Sequence, residues 1–338
     1  MSPISNEKGT LHLAVAGNGN PYDYLTPERL EFMHALFGGM PEAELAATTG
    51  LTTEQLDAEL QILEAGSLVT GPLGQRKPAF FLAVADELPR LNAFAQELAG
   101  ELAHYLGARW ADLERQYDGL SVAGDAVFSK RAFFLVGDLI LDVGLLDALA
   151  ATTDLMLPAP PRPSPEAPDA RFYVWLVEGD RGLLGKYGQR VTALPWPSHE
   201  LRTFGDYWLG EDPNIGRNQL EALVRERAGH VSSPAALGQE LDIPYYPAED
   251  AAVWWSLAQS EARVLAERLA RREAELHDLY DSLRAAERKL TTFGEFFCWY
   301  DHVIYAYAID HLAEAGLLVI PDERFTADVW PVNNASAF

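Results

Sequence analysis

A chain of 338 residues that is 48% hydrophobic and 22% charged holds enough apolar side chain for one large core or a few smaller ones, which excludes a disordered tail. Its 26 basic and 50 acidic residues leave a formal charge of −24, which opposes broad affinity for nucleic acid or anionic membrane unless a local basic patch overrules it. Cys298 is the only cysteine, so no intrachain disulfide or multi-cysteine metal site can form, and the absence of a secretory pattern or bilayer-length apolar run predicts a cytoplasmic protein without membrane contact.

Residues 1–25 read as a leader with a turn-prone stretch at Gly17 to Pro21 and one short strand at Leu11 to Val15. Thr26-Pro27-Glu28 then places a capping Thr, a proline at the first helical position and an acid in the first turn, so a helix is expected through Phe37, ending at Gly38-Gly39. Met40-Pro41-Glu42 opens the next. Glu44 to Val69 reads as helix, tight turn at Gly50, second helix and strand, with Ala46 at the close crossing and Leu51, Leu56 and Leu60 facing inward. Thr52 or Thr53 caps the second helix, and Gly66 is expected to stop it in the left-handed conformation. Leu68-Val69-Thr70 is strand-like, Gly71-Pro72-Leu73-Gly74 turns, and Ala79 to Val84 returns.

The segment 26–86 resembles the winged helix-turn-helix domain of bacterial transcriptional regulators of the ArsR and MarR type. The resemblance implies that the second helix of the motif enters the DNA major groove. Thr52, Thr53, Gln55 and Gln61 would then face bases, while Arg76 and Lys77 of the wing hold phosphates. The residues complicate this. Asp57, Ala58 and Glu59 stand where family members commonly carry polar or basic DNA contacts, and three basic residues face nine acids across the segment. Acids beside phosphates are repelled. Two functions follow: a DNA-binding transcriptional regulator, or a winged-helix protein-protein interaction module whose acidic helix meets a basic partner without binding DNA.

Residues 87–156 form a helical segment, with apolar periodicity from Glu87 to Tyr117 and a second apolar stretch from Arg131 to Ala151. The proline-dense 157–168 is expected to be an exposed connector and domain boundary. Residues 169–250 read as mixed α/β, with a strand at Arg171 to Val177, a turn at Glu178 to Gly182, a return strand at Leu183 to Tyr187 and a third at Arg190 to Leu194. The glycines there match no phosphate-loop pattern.

In 251–338 the spacing from Ala251 to Phe297 predicts one long heptad helix, and forty residues of helix would span roughly 60 Å, more than a compact domain needs. Leu265, Leu269, Leu276, Leu279, Leu283 and Leu290 are therefore expected to meet a second copy in a homodimer. Arg272 interrupts the seam. His311 to Val319 echoes Gln61 to Val69 and reads as an ordinary helix, glycine stop and strand ahead of the alternative, a second, degenerate winged element. Trp254, Trp255, Trp299 and Tyr300 read as core rather than as a lining for an apolar or cationic effector.

No histidine pair has zinc-hydrolase spacing, no Gly-x-Ser-x-Gly elbow is present, and Cys298 with His302 reads as a buried small residue beside a polar neighbour. The expectation is no enzyme, no catalytic residue, no metal and no cofactor. The fold class is mainly α with small β (α+β), and the partners carried by the regulator reading are double-stranded DNA, a second copy and a small-molecule or protein effector.

Overall fold

A computed structural model describes residues 4–5, 10–17, 25–163, 167–179, 181–206 and 214–332. The turn expected at Asn18 to Pro21, three residues of the proline-dense segment (164–166) and Asp180 in the expected 178–182 turn lie outside these. The class is α+β, 58% helix with about 15% strand, and among the described residues no helix is long and apolar enough to cross a membrane. The chain divides into two compact units, each assembled from three separate stretches: 1–93, 155–184 and 273–301 in the first, 94–154, 185–272 and 302–338 in the second.

In the first unit, α1 (Pro27–Gly38) starts where Thr26 accepts from the Arg29 amide at 3.3 Å, and it stops at Gly39, whose φ of 87° only glycine adopts freely. Helix α2 (Glu42–Thr49) ends at Gly50, and α3 (Thr53–Ala65) opens with a capping box between Thr52 and Gln55. The stop of α3 differs from expectation: Gly66 keeps φ at −81° and Ser67 takes the left-handed turn instead, at φ 56°.

Four-stranded and two-stranded sheets complete the unit. Strand β3 (Val69–Thr70) pairs with β4 (Lys77–Pro78), so the return strand comes earlier than the expected Ala79 to Val84. Within that stretch β5 (Phe81–Ala83) joins a different sheet, ordered β1 (Ile4–Ser5), β2 (Leu11–Gly17), β6 (Phe172–Glu178), β5, with the β5–β6 pairing parallel and the others antiparallel. Its residues are all buried, which suits a strand covered on both faces better than an exposed ribbon. Phe81 stacks on Trp299 at 4.8 Å and meets Phe296 edge-on at 5.4 Å. The return expected at Leu183 to Tyr187 does not pair with β6; residues 181–184 form one tight helical turn.

The chain changes unit at 154/155, just before the proline-dense segment, and that segment belongs to the first unit rather than linking the two. There Pro161 bridges Arg171 and the buried Arg162 guanidinium donates to the carbonyls of Phe172 (3.1 Å), Ala79 (2.7 Å) and Ser67 and to Glu295 (2.7 Å). Proline forbids helix and central strand, but it leaves an extended chain that a buried arginine can pin.

The second unit holds most of α4 (Leu88–Asp118), then α5 (Phe128–Ala132), a wide π-helix (Phe133–Asp142) and α6 (Val143–Thr152). Strands β7 (Tyr187–Ala193), β8 (His199–Asp206) and β9 (Phe325–Pro331) form an antiparallel sheet in that order. Helices α7 (Asn214–Ala228) and α8 (Pro234–Leu241) share with it a core of Leu201, Val224, Leu237, Ile243 and Val329. Alternate residues point to the opposite face, where the π-helix packs Phe133 on Phe204 at 5.1 Å and Phe134 on Trp330 at 5.5 Å.

The single heptad helix is also corrected. Ala251 to Phe297 falls in α9 (Ala248–Ala270), α10 (Glu273–Asp281), α11 (Arg284–Glu287) and the start of α12 (Phe293–Glu314). Leu283 is extended, Lys289 has φ 54°, and Thr292 and Glu295 build a fresh capping box. The leucine seam is shared out accordingly: Leu265 and Leu269 are buried in the second unit, Leu276, Leu279, Leu283 and Leu290 in the first. The chain itself covers them. Arg272 donates to Glu97 (2.6 Å) and Glu101 on α4 and lies over the Phe94 ring.

Candidate functional site

The residues expected to read DNA stand on α3 and the β3–β4 ribbon of the first unit. Thr52, Thr53, Gln55 and Gln61 are exposed, as a reading surface requires. Three of these four side chains are already engaged in local hydrogen bonds. The Thr52 amide donates to the Gln55 side chain at 2.8 Å, the Gln55 amide returns a bond to the Thr52 hydroxyl at 3.2 Å, and the Gln61 amide group donates to Asp57 at 2.8 Å.

Arg76 is not placed to hold a phosphate. Its side chain is 5% exposed and surrounded by three carboxylates: Glu42 at 3.5 Å, Glu64 at 3.7 Å and Asp57 in closer contact. Its backbone amide also donates to Glu42, at 2.8 Å. Arg29 is held by Glu59 at 2.8 Å. Lys77 is half-buried and makes no ion pair among the described residues.

With two of its three cations turned inward, the outer face of this module is acidic. Glu54 and Glu64 are exposed, with Asp57 and Glu59 half-exposed beside them. The Glu54 carboxyl is held below its ordinary value by its own backbone amide and by Thr52, so it stays charged. Two large apolar side chains also reach solvent, Ile62 on α3 at 39% exposure and Leu73 at the ribbon tip at 67%. A negative surface with apolar points repels a polyanion and suits a cationic, partly apolar partner.

The second unit contains a polar cluster absent from the sequence reading. Asp138, in the middle of the π-helix, is fully buried, and neither carboxyl oxygen has a hydrogen-bond partner among the described residues. Arg202 and Glu200 of β8 and Arg217 of α7 face it. Asp328 of β9 stands directly across from Arg202, accepts from the Thr326 hydroxyl at 2.9 Å, and is faced by Arg131, Tyr246 and Asp138. Burial pushes both aspartates up to about 7, against the pull of the arginines. Such a cluster can exchange protons near neutral pH. Asp138, Asp328, Arg202 and Arg217 are all buried from solvent. The legible signal was an aspartate inside the apolar run FFLVGDLILD.

Trp254 donates to the Leu135 carbonyl in the second unit, while Trp299 and Tyr300 donate to the carbonyls of Leu183 and Leu91 in the first. They are core residues in two separate cores. Cys298 is buried. Among the described residues no group of three or more His, Cys, Asp or Glu is placed to hold a metal ion. Comparison of the chain with protein-family models, with curated proteins and with solved structures returned no match.

Proposed function

We propose that residues 26–86 form a winged-helix module that docks a basic protein surface in the cytoplasm rather than reading DNA. The observation that carries this reading is the enclosure of Arg76 by Glu42, Asp57 and Glu64, which removes the cation best placed for phosphate and leaves α3 acidic. Ile62 and Leu73 supply apolar anchors at the centre of such a contact.

The test compares two probes on the full-length protein, a random-sequence DNA duplex and a Lys- and Arg-rich amphipathic peptide, at low and physiological salt. The peptide should bind and weaken with salt, and Glu54→Lys with Glu64→Lys should abolish it while the duplex stays unbound. Saturable binding of the duplex by the wild type, with no binding of the peptide, rejects the proposal.

A second reading, the DNA-binding regulator responsive to an effector, is favoured by one observation: Lys77, on the ribbon, has no acid partner among the described residues. There Lys77→Ala would weaken all duplexes alike and lower the salt slope by about one.

A further inference from the structure

Within the first unit, the end of α1, the start of α2, the β3–β4 loop and the segment after α11 line an open pocket of about 360 Å³. That size falls in the range of small-molecule sites, roughly 300–1,000 Å³. Leu36, Phe37, Met40, Pro41 and Leu290 give it an apolar wall.

Its charge sets it apart from the rest of an acidic chain. Of the ionisable groups lining it, Glu42 and Arg76 are bonded to each other, whereas among the described residues no carboxylate pairs with Lys77 or Arg288. Arg288 is exposed, lies 5.5 Å from the centre of the Phe37 ring and donates one bond to the Phe37 carbonyl. That contact closes the end of α1 and accounts for one donor, yet a guanidinium carries five. Lys289, exposed, follows in sequence. Two cations without acids beside an apolar wall, in a protein of formal charge −24, complement a ligand that is negative at one end and apolar at the other.

We propose that this pocket binds a small organic anion, its carboxylate or phosphate head on Lys77 and Arg288 and its apolar body against Phe37, Met40 and Leu290. The site is independent of whether α3 docks a protein.

The experiment titrates the full-length protein, followed by methyl NMR of Met40 and Leu290, with hexanoate, hexyl phosphate and the neutral hexan-1-ol. The two anions should shift these signals saturably, and the alcohol should bind roughly tenfold more weakly. Lys77→Gln and Arg288→Gln should each weaken the anions severalfold and leave the alcohol unchanged, with unfolding curves confirming that both variants fold. Equal binding of alcohol and anions, unaltered anion binding in both variants, or no saturable shift at about 10 mM overturns the proposal. So does displacement of bound hexanoate by random duplex DNA, which would assign the two cations to a nucleic-acid backbone.

Discussion

Arg76 illustrates how a residue's chemistry depends on its neighbours. In an exposed ribbon it would be a phosphate contact; enclosed by Glu42, Asp57 and Glu64, it anchors the ribbon to α2 and α3. Removing one partner of a buried ion pair leaves the others uncompensated, at a cost of about 3 kcal/mol. Arg76→Ala should therefore lower stability in urea unfolding by about that amount, while Lys77→Ala should stay within about 0.5 kcal/mol. Equal effects of the two would show that the enclosure contributes nothing.

Asp138 and Asp328 bring a pH dependence. Both are raised to about 7 in the folded chain from 3.8, so between these values the folded state holds protons that the unfolded state has released. Stability from this source is complete below about pH 4 and is lost as pH rises through 7, with a slope of up to about 1.4 kcal/mol per pH unit for each retained proton. Asp138→Asn and Asp328→Asn should each flatten the fall between about pH 4 and pH 7, measured by denaturant midpoints. An unchanged slope in both variants would place the protons elsewhere, Asp301 being the next group, raised to about 8 by burial alone.

At the scale of elements, local signals decide where helices start, and packing decides what shape they keep. Thr292 and Glu295 cap α12 within a sequence whose heptad spacing continues undisturbed. Thr292→Ala should cost about 1 kcal/mol, and a loss below a few tenths would mean that packing alone starts the helix. The π-helix has a different cause of constraint. A Cβ at Gly137 would stand 2.9 Å from the Phe204 ring, so it is the missing side chain that lets this backbone lie close on the sheet. Gly137→Ala should destabilise by about 1–3 kcal/mol in thermal unfolding through overpacking, with neutrality as the contrary outcome.

At the scale of the whole molecule, discontinuous units make distant stretches of chain interdependent. Leu276 and Leu283 serve the core of the first unit, together with residues more than a hundred positions away. Leu276→Asp with Leu283→Asp should unfold the protein by circular dichroism at every concentration tested, because a charge is placed where the chain covers itself. A folded variant that differs from the wild type only in its light-scattering mass would return these leucines to an interface between copies.

The sequence by itself determined the α+β class, the starts of α1 and α3, the strands at Leu11 and Phe172, and the acidic character of 26–86. These rest on short-range physics: a cap is written in four residues, a strand in an apolar run, a charge in a count. Only the tertiary structure decided that Arg162 pins the proline-dense segment inside a unit, that β5 leaves β4 for β6, that the leucine seam serves two cores, and that Asp138 and Asp328 face one another. Each of these couples residues far apart in the chain, and a local pattern is compatible with several distant partners until burial selects among them.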